Sequence, residues 1–261
     1  MRGKSTVPSL MTAAAIAGGL LAAAVVLSAQ SSRPKPAAPQ KVDTEYTAKI
    51  QQYTEDRRIL TELVDHMPAS DRVPSPLAVL GRIPGTPNEL TGYDDILRYF
   101  RALAAASDRV KLVTIGKSDE GRDLVMAVVS DEATIRLLDK YKAITAQLTD
   151  PRALDPTRAR QLIASGRPIY HITGSMHSTE SGSPEMLMEL AFRLAVEETP
   201  FIQAIRNNVI VAITPVVEVD GRDKQVDTFY YGKKTGKPVP PPTYWGRYVA
   251  HDNNRDAIGQ D

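Results

Sequence analysis

The sequence predicts an α/β domain in which helices flank a mixed β-sheet. Three observations carry this. Stretches with helical periodicity alternate with short β-branched apolar runs, the order that builds a sheet covered by helices. The first two runs, at residues 110–115 and 124–129, flank the turn Gly116-Lys117-Ser118-Asp119-Glu120-Gly121-Arg122 and read as a hairpin. A later run at 209–213 is apolar throughout, as a strand buried on both faces requires.

Taken in order, the chain opens with Arg2 and Lys4, then a small apolar run from Met11 to Leu27 that exits through Leu27-Ser28-Ala29. This is the pattern of a secretory signal over residues 1–29. A membrane anchor is the alternative, since the run is long enough to stay uncleaved. Residues 30–43 carry Pro34, Pro36 and Pro39 and read as a semi-rigid linker. Residues 44–74 form an N-terminal helical segment. Tyr46, Ile50, Tyr53, Leu60, Leu63 and Val64 recur at near-helical intervals, which predicts one amphipathic helix over 44–66. His66 lies at its end, with no function assigned. Residues 68–88 read as an irregular entry to the main domain.

A helix opens at Thr91-Gly92-Tyr93-Asp94, with Tyr93, Ile96, Leu97, Phe100 and Leu103 on one face. After the hairpin come helices over 131–148 and 155–165. Residues 168–174 read as a buried strand that runs out at Gly174. Ser183 is the expected N-cap of the following helix, with Pro184 in its first turn. Leu187, Leu190, Ala191, Leu194 and Ala195 give that helix its buried face. A short helix around 201–206 precedes the strand at 209–213. Asp220-Gly221 reads as a turn, and 233–242 as a polar loop rich in Pro and Gly.

Composition narrows the chemistry. With 42% hydrophobic residues in 261, the chain can bury a real core. A net charge of +1 gives no electrostatic case for a nucleic-acid partner, and no nucleic-acid-binding motif is present. There is no Cys, which removes disulfides, thiolate sites and a Cys nucleophile. No Gly-x-Ser-x-Gly occurs, against a serine hydrolase. A metal would have to be held by His, Asp or Glu, and the only His are His66, His171, His177 and His251.

The organising motif is His177-Ser178-Thr179-Glu180, set between a strand and a helix. Imidazole nitrogen and carboxylate oxygen three residues apart suit one zinc ion. A bare His-x-x-Glu is a weak signal, and the bland reading is a polar loop with a helix-entry Glu. Downstream lies His251-Asp252-Asn253-Asn254-Arg255-Asp256. A guanidinium with an amide beside it reads both oxygens of a carboxylate; the bland alternative is a solvated loop.

Taken together these residues resemble the zinc carboxypeptidase family, the carboxypeptidase A-like metallopeptidases. The turn 115–122 is similar to its early Gly-x-Ser-x-Glu-Gly-Arg hairpin turn. His177/Glu180 is similar to its first zinc motif, and Asn254/Arg255 to the pair that grips a substrate's terminal carboxylate. The resemblance covers residues 75–261. It implies a zinc carboxypeptidase-like domain, Zn2+ held by His177 and Glu180, and peptide substrates with a free C-terminal carboxylate bound by Asn254 and Arg255.

Departures accompany the match. The family's third ligand, a downstream His, and its general base, a Glu further on, have no counterpart before Asp261. His251 falls in the substrate motif instead, and His171 is read as a core or supporting residue. The family's oxyanion Arg is left unassigned among Arg222, Arg247, Lys233 and Lys234. Glu218-Val219-Asp220-Gly221 stands for the usual Asn-Pro-Asp-Gly. The expectation is therefore a truncated piece of an exported metallocarboxypeptidase, inactive as residues 1–261 and poorly soluble alone. Two rivals stay open. One is a non-catalytic homologue that binds peptide or carboxylate ends. The other is an amidase or deacylase on the same fold, acting on cell-wall or acyl-amino-acid substrates.

Overall fold

The computed structural model describes residues 40–239. The signal and linker expected over 1–39 lie outside the described residues, as do Arg247, His251, Asn254 and Arg255. Among the described residues no helix is long and apolar enough to cross a membrane.

The chain enters through α1 (Thr44–Tyr53), capped by the Asp43 carboxylate on the Tyr46 amide. The helix expected over 44–66 stops early. Thr54 turns extended and closes the last turn, donating both its amide and its hydroxyl to the Ile50 carbonyl, the local bonding by which Thr competes with a continuing helix. Asp56 then caps a single 3-10 turn, Arg57–Ile59. Leu63 and Val64, which a continuous helix would have buried, are exposed. The entry segment also contains a short helix, α2 (Pro76–Leu80), capped by Ser75.

Helix α3 (Tyr93–Ala106) buries the predicted Tyr93, Ile96, Leu97, Phe100 and Leu103, with Tyr99 besides. Full burial of such side chains contributes about 1.5–3 kcal/mol each. Strands β1 (Val110–Lys117) and β2 (Asp123–Val129) form the expected antiparallel hairpin. The next helical stretch is two helices, α4 (Glu132–Arg136) and α5 (Leu138–Thr149), broken at Leu137. The helix expected over 155–165 is α6 (Pro156–Ser165), which starts at an Asp155 cap with Pro in its first turn. Strand β3 (Ile169–Thr173) leads to α7 (Gly182–Val196). Helix α8 (Pro200–Asn208), strand β4 (Ile210–Thr214) and α9 (Val219–Thr235) complete the described chain.

The four strands are ordered β1-β2-β4-β3. β2 runs antiparallel to β4, whereas β3 is parallel to β4, with His171 opposite Ala212. The sheet is mixed, and helices cover both faces. On one side α3 and α7 pack their apolar stripes on Val125, Ala127, Val129, Val211 and Ile213. On the other, Tyr141, Ile144 and Leu162 of α5 and α6 pack on Val128 and Ile210.

Four expectations change here. β3 is not buried: among the described residues its only partner is β4, and Ile169 and Tyr170 are 44% and 64% exposed. His171 is exposed with it, its Nε2 3.0 Å from the Thr214 hydroxyl, and is no core residue. Asp220-Gly221 is not a turn but the first turn of α9, where acidic side chains suit the positive helix end. That helix runs to Thr235 and ends at Gly236, whose φ of 66° is the left-handed cap glycine provides without a Cβ clash. The polar loop expected from 233 therefore starts later.

Candidate metal centre

The site grows out of the parallel pairing of β3 and β4. Both strands end at the same level, and their pairing continues into the loops beyond. Gly174 N–H donates to Thr214 O (2.9 Å), Val217 N–H to Gly174 O (2.9 Å) and Glu218 N–H to Ser175 O (3.0 Å). The segment 174–180 is thus laid along 214–218. Crevices beyond the carboxyl ends of strands are where α/β folds gather ligands.

Two backbone features bend the loop. At Gly174 an added Cβ would lie 2.6 Å from Pro215 O and 2.7 Å from Leu187 Cδ1, so only glycine fits. Ser175 follows with φ 48° while fully buried, a conformation that costs about 1–3 kcal/mol and persists only when surroundings impose it. What imposes it is Ser183. Its hydroxyl accepts from Ser175 N–H at 2.9 Å, and Ser175 Oγ in turn donates to His177 O at 3.1 Å. Ser183 is therefore not the N-cap of α7. That place falls to Ser181, without a side-chain cap, and Ser183 sits inside the first turn.

His177 and Glu180 are brought together. His177 Nδ1 and Glu180 Oε1 are 2.7 Å apart, and the His177 amide donates to Glu180 Oε2 at 3.2 Å. The side-chain hydrogen bond from His177 holds the Glu180 carboxyl below the usual carboxylate range, so it is ionised at neutral pH. One nitrogen and one carboxylate oxygen turned toward each other fit zinc as two donors of a set. Among the described residues no group of three or more His, Cys, Asp or Glu is gathered to hold a metal ion, so a third donor is not supplied there.

Beside this pair is a group that motif reading passed over except as a departure from the family pattern. Glu218 is half-buried, its Oε2 has no hydrogen-bond partner, and burial pushes its carboxyl up to about 7, with Asp220 adding to the effect. Ser178, fully buried, has an equally unpartnered hydroxyl. Both face Gly221, where an added Cβ would meet the Ser178 hydroxyl and lie 2.8 Å from its Cβ and 3.0 Å from Glu218 Oε2. The sequence signal for this contact is the glycine itself, placed in a helix where glycine is otherwise costly.

The basic candidates for the oxyanion role separate. Arg222 is fully buried and bonds Thr91 O and Glu185 Oε1, so it belongs to the packing. Lys233 reaches Asn88 O and Glu89 on the outer part of α9. Lys234 is exposed on the same helix.

Comparison with known proteins agrees with the motif order. Residues 96–256 match the zinc carboxypeptidase family. No curated protein matches the chain. Among solved structures it is similar to thrombin-activatable fibrinolysis inhibitor, at 18% identity and TM-score 0.37, over 54% of this chain and 29% of that one. It is also similar to carboxypeptidase A from Helicoverpa armigera, at 21% and 0.35, over 52% and 26%. A third is bovine thrombin-activatable fibrinolysis inhibitor in complex with tick carboxypeptidase inhibitor, at 17% and 0.34, over 57% and 35%. The chain spans about a third or less of the length of each. The family match runs through the hairpin turn, the His177/Glu180 loop and the Asn254/Arg255 pair, across more than half of the 261 residues, and the chain belongs to the zinc carboxypeptidase family.

Proposed function

We propose that His177 and Glu180 serve an exported zinc metallocarboxypeptidase, which removes C-terminal residues from peptides. The observation that carries the reading is the approach of His177 Nδ1 to Glu180 Oε1 at 2.7 Å, on a loop at the carboxyl end of β3. Family membership supports it. The chemistry a zinc ion supplies when bound is Lewis acidity, a polarised carbonyl and an acidified water. The chain's own residues do the rest of what can be assigned. Glu180, ionised, contributes negative charge and an oxygen donor, and His177 a nitrogen donor. Arg255 and Asn254 hold the substrate's terminal carboxylate. Among the described residues no third donor is gathered beside His177 and Glu180. Residues 1–29 direct export, which N-terminal sequencing of the secreted protein checks by finding a start after Ala29.

The test is made on the whole protein with paired peptides, one ending in a free carboxylate and one amidated. Release of the terminal residue from the free peptide alone, abolished by a chelator and restored by zinc, is the expected result. His177→Ala and Glu180→Gln should each weaken zinc binding, read by equilibrium dialysis. Arg255→Gln should raise KM for the free-carboxylate peptide and leave zinc binding unchanged. Equal cleavage of the amidated peptide would overturn the carboxypeptidase reading in favour of an amidase. Carboxylate binding without zinc would favour a non-catalytic binder.

A further inference from the structure

The first turn of α9 joins two motifs that lie far apart in sequence. Asp220 is buried and spends its whole carboxylate on the β1–β2 turn. Oδ1 accepts from the Ser118 hydroxyl at 2.8 Å and from Arg122 Nη1 at 2.7 Å, and Oδ2 from the Glu120 amide at 3.1 Å. The turn is shaped for this. Gly121 has φ 83°, Gly121 N–H donates to Ser118 O, and Arg122 N–H donates to Ser118 Oγ. Arg122 also pairs through Nε with Asp223 at 3.0 Å, and Asp223 Oδ1 accepts from the Tyr93 amide at the start of α3. Lys224 reaches Glu120 at 2.6 Å.

The other side of the same turn carries the metal loop. Ser178 lies against Gly221, and the amides of Val217 and Glu218 bond the carbonyls of Gly174 and Ser175. We propose that Asp220 is a positioning residue, which fixes the first turn of α9 on the 118–122 turn and thereby fixes the loop that presents His177 and Glu180. The link joins the Ser118/Arg122 turn, through the first turn of α9, to the loop that carries His177 and Glu180. In its metal arm the inference rests on the function proposed above; in its structural arm it does not.

The experiment is hydrogen exchange of the full chain, with and without zinc, in Asp220→Asn and in the milder Ser118→Ala. Exchange at residues 174–180 should quicken about tenfold or more in Asp220→Asn, with α5 on the opposite sheet face unchanged. Zinc affinity should fall about 10- to 100-fold, the usual cost of losing an outer support of a metal ligand. Ser118→Ala should move both in the same direction by less. If the loop and α5 change together, or the loop keeps its protection in both variants, Asp220 is only a general stabiliser and the proposal fails. If Asp220→Asn does not fold, Ser118→Ala decides by the same comparison. Absence of zinc binding in the unmodified protein would count against the metallopeptidase reading, while the exchange comparison would still decide the coupling.

Discussion

Gly174 is the residue on which the His177/Glu180 loop turns, since Pro215 O and Leu187 Cδ1 stand where a Cβ would go. One of those neighbours is backbone and cannot swing aside. Gly174→Ala is therefore expected to destabilise the fold by about 1–3 kcal/mol, the range for overpacking, read as a lower urea midpoint with an unchanged slope. Ser183→Ala should loosen the same loop by removing the acceptor for the Ser175 amide; about 1–3 kcal/mol is the range for a buried donor left unpaired. Glu218 sets a pH dependence. Its folded pKa of about 7 lies above the reference value of 4.5, so the folded chain holds the proton more tightly. That contribution is complete below about 4.5 and is lost as pH rises through about 7. Glu218→Gln should flatten the decline in stability over this window, seen in urea midpoints at pH 5 and 8. At this scale His177 and Glu180 were read together because imidazole and carboxylate three residues apart suit one zinc ion, and the structure brings the two side chains into contact. Ser183 was misread as a cap: a Ser before a Pro matches the capping pattern, and only the tertiary contact with Ser175 shows its other use.

Among the elements, α9 was the hardest to read and holds the most together. Glu218-Val219-Asp220-Gly221 has the composition of a turn, and helix propensity disfavours Asp and Gly. The contacts made by Asp220, Arg222 and Asp223 override that preference. Arg222 shows the strength of the effect: fully buried, it bonds Thr91 O and Glu185, whose other oxygen accepts from the Thr91 hydroxyl. Arg222→Met removes one partner of a buried pair, for which a loss of about 3–5 kcal/mol is expected; urea unfolding followed by far-UV circular dichroism measures it. Helices with plain apolar stripes, such as α3, could be read from sequence because their burial depends on spacing alone. Helix α1 could not be bounded, because the extended backbone at Thr54 leaves no mark on periodicity.

For the molecule as a whole, a mixed sheet covered on both faces was legible from the alternation of strands and helices, but strand order was not. Sequence periodicity says that β3 is apolar, not how many neighbours it has. With β4 as its only partner among the described residues, Ile169 and Tyr170 face outward on an edge, and apolar edges invite pairing between chains. Tyr170→Lys should raise the concentration at which the 261-residue chain begins to scatter light. Asn254 and Arg255, expected to grip a substrate carboxylate, lie outside the described residues. The contact between Asp220 and Ser118 spans 102 residues of sequence, and this bears on the route by which the chain folds. Contacts so distant close slowly, so the Asp220–Ser118 link, and the loop packed on it, is expected to form late. Interactions absent from the transition state slow unfolding without hastening folding. In stopped-flow experiments zinc is accordingly expected to lower the unfolding rate and leave the refolding rate unchanged.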